Sequence, residues 1–274
     1  MSALDPHLAL ATPLDFDRAR RSLETKRIGC KFHYFSETDS TNTQARRLAQ
    51  TGAVEGEVVV AEAQTQGRGR LGRVWQSPPF VNLYISIVLR PNLLPANAPQ
   101  ITLMAAVALA ETVEFFLGRS AAIKWPNDIL LDGKKLAGVL SEAACDSERV
   151  EYVILGIGLN LNYHVHEMPL ELRTRATSLG YLMGQPVDRE SVLRRLIQDL
   201  DRCYGELETC GFEALRRRWE ERFIWRGRRV RVELGDQVLI GRAQGIEPGG
   251  ALILEAEDGQ RRSIVAGDVI PLEI

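Results

Sequence analysis

Histidine and cysteine are scarce in this chain, with four of each among 274 residues. Cys30, Cys145, Cys203 and Cys210 form no CxxC pair and no Cys/His spacing suited to a metal. A zinc module and a disulfide framework are therefore excluded, and reduced thiols of a cytoplasmic protein are expected. His7, His33, His164 and His166 make no credible catalytic or metal set, and His164 and His166 are expected in a loop. The start, MSALDPHLAL, lacks the cationic segment and apolar run of a secretory signal. No stretch reaches the roughly 18 consecutive apolar residues that span a bilayer, so no membrane partner is expected. An excess of one charge is missing too: 34 Lys and Arg against 36 Asp and Glu leave a net charge of -2. That removes the general electrostatic reason to expect nucleic acid. The P-loop pattern GxxxxGK[ST], the GxSxG elbow and HExxH are all absent, against a P-loop ATPase, a serine hydrolase or a zinc protease.

What is present has the composition of a globular protein, 45% hydrophobic and 26% charged, long enough for one large and one small domain. Residues 1–35 read as a lead-in with a turn or two of amphipathic helix at Asp15–Leu23. Asp39, Ser40 and Thr41 supply capping residues for a short helix over TNTQARRLAQTG. The β-branched EVVVAEA (57–63) predicts a buried strand and NLYISIVLR (82–90) a second. ITLMAAVALAETVEFFLG (101–118) has helical period and stops at glycine. Short strands follow near 121–125, 128–132, 135–143 and 151–162, and helices fill much of 189–222. From Ile224 the character changes: RRVRVEL, QVLIGRAQGI, ALILEAE and RSIVAG alternate with GD, EPGG and EDGQ turns, the pattern of a small β-barrel. The expected fold class is α+β, a mixed sheet with helices over 36–223 followed by a small β domain over 224–274.

Four segments carry chemistry. In QTQGRGRLGRVW (64–75) three glycines alternate with three arginines, Gly67, Arg68, Gly69, Arg70, Gly72 and Arg73. Glycine lets main-chain N–H groups approach a ligand, and arginine brings a permanent planar cation. The loop suits closure over an anion, and taken alone it reads equally well as a basic turn touching RNA. In KWPNDILLDGKKLAGVL (124–140), Pro126 bends the chain so that Lys124, Asn127 and Asp128 gather at one sheet end, while Lys135 opens an apolar run. Such a lysine is ordinarily a snorkelling surface residue; the apolar flanks and the nearby anion loop favour a phosphate or carboxylate partner. GIGLN (156–160) places Gly156 and Gly158 one residue apart in a strand, a mark of a bulge or a close ligand approach. DSTN (39–42), in isolation, is a helix cap.

The order DSTN, QTQGRGRLGRVW, KWPND, KKLAGVL, GIGLN resembles that of the biotin protein ligases, from about residue 30 to the end of the chain. The resemblance implies a catalytic biotin- and ATP-binding domain related in fold to class II aminoacyl-tRNA synthetases, followed by an SH3-like domain. It implies that Ser40, Thr41, Asn42 and Gln64 hold the ureido ring of biotin, that Arg68, Gly69 and Arg70 close over biotin and the phosphates, and that Gly156 and Gly158 allow backbone contact with biotin. Trp75 would stack near the adenine, with Lys124, Asn127 and Asn160 supporting ATP. Lys135 would sit between the biotin carboxylate and the α-phosphate, and with Arg68 it would be catalytic. Mg²⁺ is expected on the phosphates, with Asp128 a candidate to touch it. The acceptor lysine would belong to the biotin carboxyl carrier domain of a carboxylase.

Some members of the family carry an N-terminal winged helix-turn-helix. Fewer than forty residues precede DSTN here, so a ligase that does not bind DNA is expected. Monomer and homodimer both stay open. Two rivals stand beside this reading: a lipoate or octanoate ligase of the same superfamily, and a non-catalytic RNA-binding module using GRGRLGR and the basic stretch RRRWEERFIWRGRRVRV (216–232).

Overall fold

The computed structural model describes residues 12–21, 23–235 and 237–272. Its main sheet has seven strands, β1 (Lys31–Phe35), β2 (Glu57–Ala61), β3 (Leu83–Leu89), β4 (Ala122–Lys124), β5 (Asp128–Leu131), β6 (Lys134–Cys145) and β7 (Val150–Leu159). They lie in the order β1-β2-β3-β7-β6-β5-β4. β1 pairs parallel with β2 and every other pair is antiparallel, which makes the sheet mixed.

The central strands are apolar on both faces because both faces are covered. Val58, Val60, Ile85, Ile87, Leu155 and Ile157 point into the large core. There they meet α3 (Pro99–Leu117), which packs in turn on α6 (Arg189–Cys210) and α7 (Glu213–Glu221). Val59, Val88 and Ile154 point the other way, onto Ala45 and Ala49 of α2 (Thr41–Gln50). α3 lacks a broad polar face, and by length and composition alone the stretch Pro95–Leu117 would suit a membrane span. Its central residues are instead buried inside the fold, as those of a core helix. The helix stops at Gly118, whose φ of 66° is the left-handed cap that glycine adopts without strain.

The lead-in expected over residues 1–35 differs from what is observed. Residues 1–11 lie outside the described residues. Beyond them, α1 (Phe16–Arg21) packs on α6, Leu14 is buried, and residues 31–35 are β1 itself. As an edge strand, β1 is mostly half-exposed, so its sequence KFHYF carries no run of buried residues to mark it. A buried ion pair fastens this segment to the sheet. Glu62 accepts from Leu14 N at 2.6 Å and from Arg189 Nη1 at 2.8 Å, with Arg189 also donating to the carbonyl of Thr12.

The last fifty residues form a second, antiparallel sheet: β8 (Arg229–Leu234), β9 (Gln237–Ile246), β10 (Leu252–Ala256), β11 (Arg261–Ile264) and β12 (Asp268–Pro271), ordered β11-β10-β9-β8-β12. The turn composition marks four of these. β12 escapes it because only Val265, Ala266 and Gly267 separate it from β11. Trp125 Nε1 donates to the carbonyl of Gly250 at 3.2 Å, and Gln100 Nε2 to that of Pro248 at 2.9 Å, joining the two sheets.

Candidate active site

The face of the main sheet beneath the start of α2 is floored by small residues in register. Ser86 of β3 lies opposite Gly156 of β7, and Gly158 of β7 lies opposite Gly138 of β6. Side chains from elsewhere rest on this strip. A Cβ at Gly156 would come within 2.0 Å of Asn42 Oδ1, and one at Gly158 within 2.4 Å of Trp75 Cε2. The two glycines therefore make room for an amide and an indole.

A cavity of about 820 Å³ opens over this floor, within the range of ligand clefts. Every residue to which the resemblance gives a role lies on its wall, Ser40, Thr41, Asn42, Gln64, Arg68, Gly69, Arg70, Trp75, Lys124, Asn127, Asp128, Lys135, Gly156, Gly158 and Asn160, whereas Gly67 and Gly72 of the same loop do not. The second sheet supplies Glu233 and residues 268–271 to the same wall.

One end of the cavity is an uncharged hydrogen-bonding cluster. Ser40 stands at the N-cap of α2 without making a side-chain cap bond, so capping does not occupy its hydroxyl. Gln64 Oε1 accepts from Thr41 N at 2.9 Å, and Gln64 Nε2 donates to Ser77 Oγ at 2.9 Å. Ser86 Oγ lies 2.6 Å from Asn42 Oδ1 and 2.8 Å from Thr41 Oγ1, and its single hydrogen serves one of them. Ser40, Thr41, Asn42 and Ser86 are all buried. A cluster so removed from water, with lone pairs to spare, suits a small polar ring.

The other end is cationic. Lys135 Nζ is 2.7 Å from Asp128 Oδ1 and 5.2 Å from the centre of the Trp75 ring. Its backbone is gripped on both sides: Lys135 N donates to Arg175 O at 2.7 Å, and Thr177 N donates to Lys135 O at 2.9 Å. Arg68 stands nearer the uncharged cluster, donating through both terminal nitrogens at 3.2 and 3.0 Å to Glu142, the carboxylate that also receives Asn42 Nδ2 at 2.7 Å. Arg70 reaches Asn127 Oδ1 at 3.4 Å and the carbonyl of Gly267 at 3.3 Å. Burial lowers the proton affinity of Arg70, opposed by Asp128 and Asp268, and its guanidinium stays charged at neutral pH. Asp268 joins Arg73 at 2.5 Å to Lys124 at 3.2 Å. Burial alone would raise its carboxyl, and those two cations hold it below the usual range instead. Asn127 and Asn160 are tied by Asn127 Nδ2 to Val139 O at 2.7 Å and by Asn160 Nδ2 to Thr177 O at 3.1 Å.

Asp128, the candidate metal ligand, is the counter-ion of Lys135. Among the described residues no three His, Cys, Asp or Glu side chains gather to hold a metal. The residues present do not fit a protein-held ion. Trp75 leaves its buried Nε1 without a partner. His164 and His166 lie in the connection after β7, flanking Val165 at a single 3₁₀ turn within it.

Three contributors escaped the sequence reading. Ser86 carried a signal, as the one polar residue in the buried run LYISIVL. Asp268 and Glu142 carried none, since their partners come from distant segments. The basic stretch 216–232 also reads differently when folded. Arg216, Arg218 and Arg222 pair with Glu213, Glu220, Glu111, Glu206 and Glu114, so these three hold the fold together rather than facing outward as a basic stripe.

The sequence matches the model of the biotin/lipoate A/B protein ligase family over residues 34–160, and that of the biotin protein ligase C terminal domain over residues 227–270. It is 37% identical over 250 residues to the bifunctional ligase/repressor BirA of Bacillus subtilis, covering 91% of this chain and 77% of that protein. It is 37% identical to the biotin–[acetyl-CoA-carboxylase] ligase of Paracoccus denitrificans, covering 85% of this chain and 97% of the relative. The fold superposes on biotin protein ligase from Aquifex aeolicus in complex with biotin and ATP with a TM-score of 0.74 and 30% identity, covering 88% of this chain and 98% of that one. With both domains matched in order and the relatives covered over most of their length, the chain belongs to the biotin protein ligases of the biotin/lipoate A/B protein ligase family.

Proposed function

We propose that this ligase activates biotin with ATP in the cavity just described, and then passes the biotinyl group to a lysine of a biotin carboxyl carrier domain of a carboxylase. The observation that carries the residue assignments is the polarity of the cavity, an uncharged hydrogen-bonding cluster at one end, Lys135 and Arg70 at the other, and Arg68 reaching in from beside the cluster. Biotin has the same polarity, a ureido ring at one end and a carboxylate at the other.

In this reading Ser40, Thr41, Asn42 and Gln64 bind the ring. Their buried polar groups would stay unpaired beneath an acid lacking it, which disfavours such acids. A carboxylate oxygen attacks the α-phosphorus, a new O–P bond forms, and the bond to pyrophosphate breaks. The reactants are both anions. Lys135 and Arg68 offset their repulsion and the charge that builds as they meet, a type of contribution commonly worth about 10²–10³ in rate per donor. Lys124, Asn127, Asn160, Arg70 and Trp75 hold the nucleotide, and Mg²⁺ arrives with its phosphates as part of the substrate. Gly69 lets the loop shut over the mixed anhydride and keep out water. An acceptor amine then attacks the acyl carbon, AMP leaves with the bonding pair, and the nitrogen loses a proton.

The same reading takes the main domain as class II aminoacyl-tRNA synthetase-like and the second as SH3-like. It places the protein in the cytoplasm, where ATP and carboxylases meet. The test is pyrophosphate release from ATP with biotin and, separately, with lipoate. Release with biotin alone supports the proposal. Release with lipoate alone would move the substrate to the sister acid, and silence with both would overturn the reading.

A further inference from the structure

We infer that Glu142 is a positioning residue that couples recognition of the biotin ring to the anion-binding loop; the inference rests on the biotin reading above. Glu142 lies on β6, on the same face as Gly138. Its carboxylate gathers three side chains from two other segments. Oε2 accepts from Asn42 Nδ2 at 2.7 Å and from Arg68 Nη2 at 3.0 Å. Oε1 accepts from Arg68 Nη1 at 3.2 Å and also from Arg46, one turn further along α2 than Asn42.

Two consequences follow for the site. The first concerns which way the Asn42 amide faces. Its Nδ2 donates to Glu142 and to the carbonyl of Leu140, at 2.7 and 3.2 Å, so both amide hydrogens are engaged. Oδ1 is left on the side of Ser86 and Gly156, with a lone pair still free to accept. Asn42 is thereby fixed as an acceptor, the partner that a ureido N–H needs. Without Glu142 the amide could turn over and offer a donor instead.

The second concerns Arg68. A guanidinium has five donors, and the edge facing Glu142 uses one from each terminal nitrogen, with Nη2 also 3.5 Å from Thr43 Oγ1. Nε–H and the second Nη1 hydrogen remain for an incoming anion, presented from a fork that no longer swings. One carboxylate facing two guanidiniums also leaves one positive charge unmatched beside the cavity. A simple surface ion pair would join two elements without touching the site, whereas here two of the three partners line it.

The test compares Glu142→Gln with wild type in biotin-dependent pyrophosphate–ATP exchange. Wild-type exchange with biotin tests the underlying reading, and the variant-to-wild-type ratio tests the inference. The expected result is a biotin KM raised about tenfold, an adenylation kcat lowered about tenfold, and an ATP KM within about threefold. In the Asn42→Ala background the same substitution should change biotin KM much less, because the pair acts as a unit. Trypsin should cut the ligand-free variant within residues 68–73 at least about threefold faster than wild type, since the loop loses its anchor. Biotin KM and kcat both within about twofold of wild type would overturn the assignment. So would loss of cooperative unfolding, or biotin and ATP KM rising together with a lower Tm, either of which would make Glu142 merely structural.

Discussion

Gly156→Ala is the sharpest probe of the proposed biotin-ring subsite, because it adds one methyl group at a place where the structure has none to spare. Gly156 does not use a left-handed backbone conformation, so alanine suits its strand and the whole effect falls on its neighbour. The new Cβ would stand 2.0 Å from Asn42 Oδ1 and 2.8 Å from its Cγ, where ordinary contact begins at 3.4 Å. The amide must retreat by more than an ångström. It cannot do so and keep its contacts to Ser86 at 2.6 Å, Glu142 at 2.7 Å and Leu140 at 3.2 Å. At about 0.5–1.5 kcal/mol for each neutral hydrogen bond and about 1.5–3 for the one to a carboxylate, displacing Asn42 costs about 2.5–6 kcal/mol if nothing replaces those bonds.

Part of that cost appears as lower stability and part as lost binding. Each 1.4 kcal/mol or so that reaches the ring subsite raises the biotin KM about tenfold, so the expected rise is about 10- to 100-fold. ATP KM should stay near that of wild type, because Lys124, Asn127 and Asn160 touch neither Gly156 nor Asn42. The assay is biotin-dependent pyrophosphate–ATP exchange, with biotin titrated at saturating ATP and the reverse, beside a thermal melt. A folded Gly156→Ala protein with an unchanged biotin KM would refute the reasoning, showing that Asn42 either moves freely or does not read biotin.

Three further perturbations separate chemistry from stability. Lys135→Ala should lower adenylation about 10²–10³-fold. Its pair with Asp128 is one-third exposed on the lysine side, so the loss in stability should stay within about 1 kcal/mol; adenylation at the normal rate would remove Lys135 from the chemistry. Arg189→Met should cost about 3–5 kcal/mol in denaturant unfolding, because it strands the fully buried carboxylate of Glu62; a change below about 1 kcal/mol would show that water or another donor reaches it. Asp268 titrates below the usual carboxylate range, so its pairs with Arg73 and Lys124 contribute stability that is present above the unfolded pKa and lost as pH falls through the folded one. The gap in Tm between wild type and Asp268→Asn should therefore be level from pH 6 to 8 and close below about pH 4; a gap that widens in acid would refute it.

What could be read from the sequence was local. The loop 64–75, the bend at Pro126 and the glycines at 156 and 158 each keep their chemistry within a dozen residues, and the structure brings all of them to one cavity. Charge was read less well, because a cation's partner can lie anywhere in the chain. The arginines of 216–232 look like a nucleic-acid surface only until Glu111 and Glu114 of α3, about a hundred residues earlier, come alongside them. Glu142 is hidden for the same reason: nothing in KLAGVLSEA says that α2 and the arginine loop both fold down onto it.

Asp268 shows where this matters for function. A boundary near residue 224, drawn from the change in strand and turn composition, cuts between Arg73 and a carboxylate 195 residues further on. The folded chain ignores that boundary at the cavity, since Asp268 faces both Arg73 of the loop and Lys124 of β4, and the carbonyl of Gly267 receives Arg70. Arg73 is thus held by the second domain, Arg70 by both domains through Gly267 and Asn127, and Arg68 by the first through Glu142. The loop proposed to close over the adenylate is strung between the two sheets. Through Asp268 and the carbonyl of Gly267, the second domain therefore sets where two of the loop's arginines stand at the cavity, as part of its wall rather than an appendage.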